Sequence, residues 1–479
     1  MAPKWKTYTL SDVCLKITDG AHQSPKSMDI GMPMCSVKDL TEFGLTLDTA
    51  RQISEVDYQK LVRQGCMPLV GDVLIAKDGN SALDTTCSID TEVETVLLSS
   101  VAILRPNPEL LDSDYLKYWF KSKRTIDYLK SNFISGAAIP RVVLKDFKKA
   151  EIILPPLGRQ RLISRVLRAL DNKTQLNHQI NQTLEQIAQA IFKSWFVDFE
   201  PVKAKIAALE AGGNEDDALL AAMQAISGKT PEDLTHLQAE QPKQYAELRA
   251  TAELFPSAMR GSELGEIPEG WETTRSGDVI DVRDGTHDSP KKSSCGHPLV
   301  TSRHITSGTL KLDDAYLISK PDFEKVNQRS KVDHGDVLLT MIGTAGIPYL
   351  VSLRNVNFAI KNIGLFKTSK VTELSGFFYL LLKSDGMKAY LEARIAGTTQ
   401  KYLSLTTLRG IEFVLPPSPV LTRFTKMTSS FFRATQENTE QTETLSSLRD
   451  TLLPKLLSGE LSIMNTEPQL AEVEESANV

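Results

Sequence analysis

The apolar positions of this chain change their period in a set order. Strand-like runs come first. Gly71-Asp72-Val73-Leu74-Ile75-Ala76 reads as a turn leading into a buried strand, and Val96 to Leu104 and Ile152 to Leu154 as further strands. Asp112 to Lys123 puts Leu116, Trp119 and Phe120 on one helical face. Past Leu154-Pro155-Pro156 the spacing turns to threes and fours, through Ile163, Val166, Leu170, Asn177, Ile180, Leu184, Ile187 and Ile191. No Pro or Gly interrupts Arg159 to Glu200, which predicts a rod of about 40 residues, roughly 60 Å at 1.5 Å per residue.

The whole order then recurs. Asp19-Gly20-Ala21-His22-Gln23-Ser24-Pro25-Lys26 returns as Asp284-Gly285-Thr286-His287-Asp288-Ser289-Pro290-Lys291. Ile53-Ser54 returns as Ile318-Ser319, and Gly71-Asp72-Val73-Leu74 as Gly335-Asp336-Val337-Leu338. Leu154-Pro155-Pro156 returns as Leu415-Pro416-Pro417, and Trp5 and Trp271 open the two copies. A second seam follows, through Phe424, Met427, Phe431, Asn438, Gln441, Leu445, Leu448 and Leu452, entered at Ser418-Pro419 and stopped by Gly459. Matches in one order make chance a poor explanation and predict a duplicated architecture.

The fold expected is mixed α/β: two tandem globular domains separated by two long antiparallel helices that pair as a coiled coil, with a pseudo-twofold internal repeat. The divisions are a first domain over 1–156, a first spacer helix over 157–200, an acidic connector over 201–264, a second domain over 265–417, a second helix over 418–459, and an acidic, disordered tail over 460–479. If the helices cross at their midpoints, Asn177 and its repeat mate Asn438 are expected to meet there and fix the register, a task suited to seam asparagines; exposure of both is the alternative. In the connector, Asp216 to Ile226 and Tyr245 to Leu254 read as short helices, and Ser257 to Gly270 as loop.

Charge sharpens this division. The net charge is −5, yet residues 200–269 alone carry 13 acidic and 6 basic side chains, and residues 460–479 carry 5 acidic and none basic. The two repeat units are therefore basic, which permits binding to a polyanion without proving it. The apolar share of 41% excludes a mostly disordered chain. No apolar run approaches the roughly 18 residues of a membrane span. No signal peptide is visible, and five cysteines without close pairs argue for reduced thiols in the cytoplasm.

The duplicated variable domains, the paired Asp-Gly-x-His-x-Ser-Pro segments and the repeated Leu-Pro-Pro helix entries together resemble the specificity subunit of Type I restriction–modification systems, over nearly the whole chain. Ile191 to Phe199 and the Gly265 to Trp271 entry resemble that family's connecting regions. The resemblance implies a chain that is not itself catalytic. Each domain would read one half of a split, asymmetric site in double-stranded DNA. The helices would space the domains and dock two methyltransferase (modification) subunits, joined by two restriction (motor and nuclease) subunits. S-adenosylmethionine, ATP and Mg would reside on those partners, with no cofactor or metal on this chain.

Candidate DNA contacts are Lys26, Lys38, Lys77 and Arg141 in the first copy. In the second they are Lys291, Lys292, Arg303, His304, Lys361, Lys401 and Tyr402. They sit in or beside predicted turns and strand ends, and such cations and polar groups are common readers of phosphate and base edges. Phe192, Trp195 and Phe196 are candidates for partner docking; the alternative is that they close the coiled-coil end. The Asp-Gly pairs have a structural reading as turns needing positive φ.

Several motifs mislead. Gly228-Lys229-Thr230 lacks the glycine a phosphate loop needs five places earlier, where Met223 stands. His22 and His287 each have only a nearby Asp, too little for a metal site. Asp72 and Lys77 have no second carboxylate suitably spaced for a nuclease core, and no Asn-Pro-Pro-Tyr or Asp-Pro-Pro-Tyr segment exists. Two other function classes stay open at this level: a stand-alone DNA-modifying enzyme with an unfamiliar site, and a protein-binding scaffold.

Overall fold

The computed structural model describes residues 5–79, 82–135, 141–306, 308–397 and 401–461. Two compact units emerge, one drawn from Met1–His178 and the chain beyond Glu440, the other from Gln179–Thr439. The acidic tail expected over 460–479 lies, from residue 462, outside the described residues.

In the first unit a four-stranded antiparallel sheet runs in the order Cys14–Asp19, Val101–Pro106, Val73–Ala76, Thr86–Ser88. A three-stranded sheet sets Met32–Cys35 between Arg51–Ile53 and Val96–Leu97, the latter in parallel. Lys6–Thr9 pairs with Glu151–Leu154. The predicted strand over Val96 to Leu104 is thus two strands in two sheets, parted by the turn that sends Leu98 N–H to the Cys35 carbonyl and Val101 N–H to the Leu98 carbonyl. Ser113–Lys121 is the predicted helix, with Asp112 capping it by accepting the Tyr115 N–H at 2.9 Å.

The second unit repeats this plan. Its four-stranded sheet runs Val282–Asp284, Ile363–Phe366, Val337–Thr340, Pro348–Leu350. Its three-stranded sheet sets Lys292–Val300 between Leu317–Ile318 and Ala359–Ile360. Glu272–Arg275 pairs with Glu412–Leu415. The same strand order in both units is the structural form of the sequence repeat.

The buried ends of the sheets hold matching ion pairs. Arg105 grips the fully buried Asp72 with two bonds of 2.7 and 2.8 Å. At the equivalent place Lys367 reaches Asp336 at 2.6 Å. Both carboxylates also accept a backbone N–H from the preceding turn, of Leu69 and Asp333 respectively.

The two long helices span Leu157–Phe196 and Ser418–Ser458, and Gly459 ends the second at φ 74°. Ser418 does not cap its own helix; its hydroxyl donates to Glu373 at 2.9 Å, and Pro417 accepts the first amides. Within each unit the helices run antiparallel. In the first, Ile163 and Leu167 share a core with Leu453 and Leu456, and Asp171 meets Arg449 at 3.1 Å. In the second, Phe192, Trp195 and Phe196 stack against Phe424, with ring centroids 5.0–6.3 Å apart. So the end of each long helix enters the core of the globular domain it does not follow.

The seam itself differs from expectation. The buried line of the first helix is Ile163, Ser164, Leu167, Asp171, Thr174, Asn177, Ala188, Phe192 and Trp195, while Leu176, Ile180 and Ile187 are exposed. It is rotated from the predicted apolar stripe because polar cross-helix bonds occupy the middle. Asn177 donates to Gln441 at 2.8 Å and reaches Thr442 at 3.4 Å. Asn438 donates to Asn181 at 2.9 Å, and Asn181 in turn donates to the Thr435 carbonyl at 3.3 Å.

The connector holds four helices, Glu200–Glu210, Glu215–Ser227, Pro231–Glu240 and Pro242–Glu253. The last three share a small core of Leu219, Ala222, Met223, Leu234 and Ala252. Ser257 to Gly270, expected as loop, contains a hairpin of Met259–Ser262 with Gly265–Pro268. Its polar residues and glycines hid the alternation that would mark it.

Candidate nucleic-acid interface

In the first domain the strand register brings Asp19, Val101 and Ala76 to one end of the four-stranded sheet. The loops that leave there carry most of the candidate residues. The fold of these loops rests on the Asp-Gly pair. Gly20 does not need positive φ, contrary to the turn expected; a Cβ there would fall 2.1 Å from the Leu97 carbonyl oxygen, and at Gly285 one would fall 2.5 Å from that of Ile360. Glycine is required by close backbone approach, which lets Ala21 N–H reach the Leu97 carbonyl at 2.7 Å. Asp19 is nearly buried, with His22 Nε2 at 3.2 Å and Lys77 Nζ at 2.5 Å. Asp284 likewise holds His287 at 3.0 Å, with Arg329 replacing the lysine.

Burial divides the side chains at these sheet ends. Lys77 is buried in the Asp19 ion pair and braces the loop from beneath; it does not present its charge at the surface. His304 is also buried. It closes the short helical turn Ser302–His304 by accepting the Thr301 N–H on Nδ1 at 2.9 Å. In the first domain Asp39 does the same for Ser36 at 2.8 Å. Burial, aided by the Arg303 charge, pushes the His304 pKa down, so the ring is held neutral as an acceptor. Both residues therefore serve the fold, a role that sequence position beside a turn did not distinguish from contact.

The remaining candidates are placed at the same sheet ends. Lys38 and Arg303 are the exposed members of equivalent turns. The Val37 N–H donates to Ser100 at 3.2 Å, and the Ile342 N–H to Ser302 at 3.4 Å, which ties each turn to the sheet end. Arg141 and Tyr402 form equivalent bridges to Asp78 and Ile342. Arg141 is exposed, with Nε 3.2 Å from Asp78. Tyr402 is exposed, and the Lys401 carbonyl beside it takes the Gly343 N–H at 3.1 Å. Lys26 and Lys291 are exposed on the recurrent loop, Lys361 reaches the hydroxyl of Ser289, and Lys292 lies 5.7 Å from the Tyr316 ring centre.

The docking candidates are corrected outright. Phe192, Trp195 and Phe196 are buried in the core of the second unit, with Trp271, Phe255 and Phe377. An interface needs them free; the domain core consumes them. Among the described residues no group of three or more His, Cys, Asp or Glu is arranged to hold a metal, and no helix is long and apolar enough to cross a membrane. All five cysteines are unpaired.

One domain fold present twice, with loop-bearing sheet ends and two long helices, defines a duplicated recognition scaffold. The Type I restriction modification DNA specificity domain matches residues 3–186 and 268–445, and the chain belongs to that family as a DNA specificity subunit. It is 33% identical over 399 residues to the Type I restriction enzyme HindI specificity subunit of Haemophilus influenzae, covering 78% of this chain and 83% of that one. It is 26% identical over 364 residues to the MjaIX specificity subunit of Methanocaldococcus jannaschii, covering 73% and 69%. The Type I S subunit structure from M. genitalium aligns over 96% of this chain and 97% of its own, at 13% identity and a TM-score of 0.47.

Proposed function

We propose that this specificity subunit reads a split, asymmetric site in duplex DNA, one half-site per domain, and performs no chemistry of its own. The observation that carries the reading is the pair of equivalent sheet ends with unlike side chains: Arg141 stands where the second domain has Tyr402, and Lys38 where it has Arg303. One scaffold presenting different groups is what two different half-sites require. The long helices act as the spacer, with Asn177 and Asn438 holding register through their cross-helix bonds. The exposed apolar residues Ile180 and Ile187 of the second unit offer a face for a modification subunit; two such subunits in turn bring two restriction subunits. S-adenosylmethionine, ATP and Mg belong to those partners. The assembly works in the cytoplasm, where the DNA is.

Sequencing-based mapping of methyladenine in cells carrying this chain and its neighbouring methyltransferase tests the proposal. A split motif that disappears on deletion of this chain is expected. An active methyltransferase whose motif survives the deletion contradicts it.

A further inference from the structure

Resting on the proposal that the domains bind DNA, we infer that the recurrent Ser-Pro-Lys loop is a phosphate clamp used alike by both domains, and that it does not read bases. In the first domain the clamp is Ser24, Lys26 and Arg51; in the second it is Ser289, Lys291 and Lys361.

The fold explains part of the recurrent motif and leaves part of it over. Asp and Gly of the motif are accounted for by the buried ion pair and the close backbone approach. The histidines brace the loop against Asp19 and Asp284, and His287 spends its other ring nitrogen on Asn362 at 2.8 Å. Serine and lysine lie beyond that brace and take no part in it, yet both recur at the same spacing while neighbouring positions have changed, Ala21 to Thr286 and Gln23 to Asp288.

The serines carry the second observation. An Arg51 Nη1 donates to the Ser24 hydroxyl, and the Lys361 ammonium donates to that of Ser289. These cations come from non-equivalent places: Arg51 from the strand Arg51–Ile53, Lys361 from the turn that follows Ala359–Ile360. The two domains thus build the same group, a hydroxyl polarised by a cation with a lysine two residues on, from different residues. A serine oxygen that accepts from a cation still has its own O–H to donate. Two positive charges and one hydroxyl donor suit a phosphate oxygen, and they fit no particular base edge.

Charge balance leaves these groups available, as it does Lys38 and Arg303 of the neighbouring turns; what sets the clamp apart is the cation-bound serine hydroxyl beside each lysine. At the same sheet ends Lys77, Arg141 and Arg329 are each matched to an aspartate. Among the described residues Lys26, Arg51, Lys291 and Lys361 have no acidic partner within salt-bridge reach. The second loop carries Asp288, an added negative charge, and also Lys292, which offsets it where the first has Ser27. Because a phosphate contact gives register without sequence information, it is the part of the interface that two domains with different targets can share.

The test uses the full chain expressed with its neighbouring methyltransferase, and fluorescent duplexes carrying either the mapped motif or a scrambled sequence. Affinity is measured across a salt series for the wild type, for Lys26→Ala with Lys291→Ala, and for Ser24→Ala with Ser289→Ala. All four positions are on surface loops, and Lys26→Arg with Lys291→Arg serves as the charge-keeping control. The lysine pair is expected to weaken both duplexes by the same factor and to lower the slope of log affinity against log salt by about 2, roughly 0.9 per phosphate. The serine pair should weaken both duplexes equally, and the arginine pair should restore the slope. The methylated motif should stay the same. Unchanged affinity and slope, or loss on the motif duplex alone, would overturn the clamp. A wild type that binds neither duplex would overturn the DNA reading itself, which separates the two failures.

Discussion

The two globular domains share a strand order and differ in the cations that stabilise it. Asp72, Asp19 and the turn-closing Asp39 of the first domain face Arg105, Lys77 and Ser36. Their counterparts in the second are Asp336 with Lys367, Asp284 with Arg329, and His304 with Thr301. At the two ion pairs the buried carboxylate keeps its place while the cation changes length, hydrogen-bond number or element of origin. At the turn the acceptor itself changes, from Asp39 to His304, over the same backbone donor. A buried carboxylate needs a cation within bonding distance, and several positions can supply one. The surface over this frame is under no such constraint, and there Arg141 and Tyr402 diverge in charge and shape. Replaceable partners below and unlike groups above are what the proposed pair of readers on one fold requires.

The largest losses are expected at the buried ion pairs. Lys367→Ala leaves Asp336 buried and uncompensated, and should cost about 3–5 kcal/mol in urea unfolding; Arg105→Ala should do the same through Asp72. If either were neutral, the shared buried pair would not be what holds the sheet end. Next come the helix ends. Trp195→Ala in the second unit should cost about 3–5 kcal/mol and Leu456→Ala in the first about 2–5 kcal/mol. Equal insensitivity to both would mean that the helix ends do not stabilise the domains they enter. Gly20→Ala and Gly285→Ala force a Cβ against a backbone carbonyl, and each should lose about 1–3 kcal/mol.

The smallest effect is the most selective. His304 has its pKa lowered by burial, so the folded state binds fewer protons than the unfolded state. Its contribution is complete above the ordinary value near 6.5 and is lost as pH falls below it toward the folded value. His304→Asp, which installs the first domain's solution, should remove that part of the decline in melting temperature between pH 7 and pH 5.5. An identical pH profile for both proteins would show that the ring does not titrate with unfolding.

Much of this was legible in the sequence. The repeat, the long helices and their Gly459 stop follow from spacing and from backbone chemistry alone. Lys77 and Lys38 show why the interface was harder. Both are lysines beside predicted strands, yet one is buried against Asp19 and the other exposed, and only the strand register separates them. His304 and Arg303 are adjacent, and turn geometry sends one inward. Phe192, Trp195 and Phe196 offered an apolar face without saying what covers it; their partners Trp271, Phe377 and Phe424 lie far along the chain. Arg51 was missed because its tie to Ser24 joins a strand to a loop 27 positions away.

We propose that each domain reads its own half of one site. Methyladenine mapping of cells carrying the wild-type chain, Arg141→Ala or Tyr402→Ala tests it directly. A split motif is predicted, with Arg141→Ala relaxing bases in one half and Tyr402→Ala in the other. A single contiguous motif, or both substitutions altering the same half, would contradict the account.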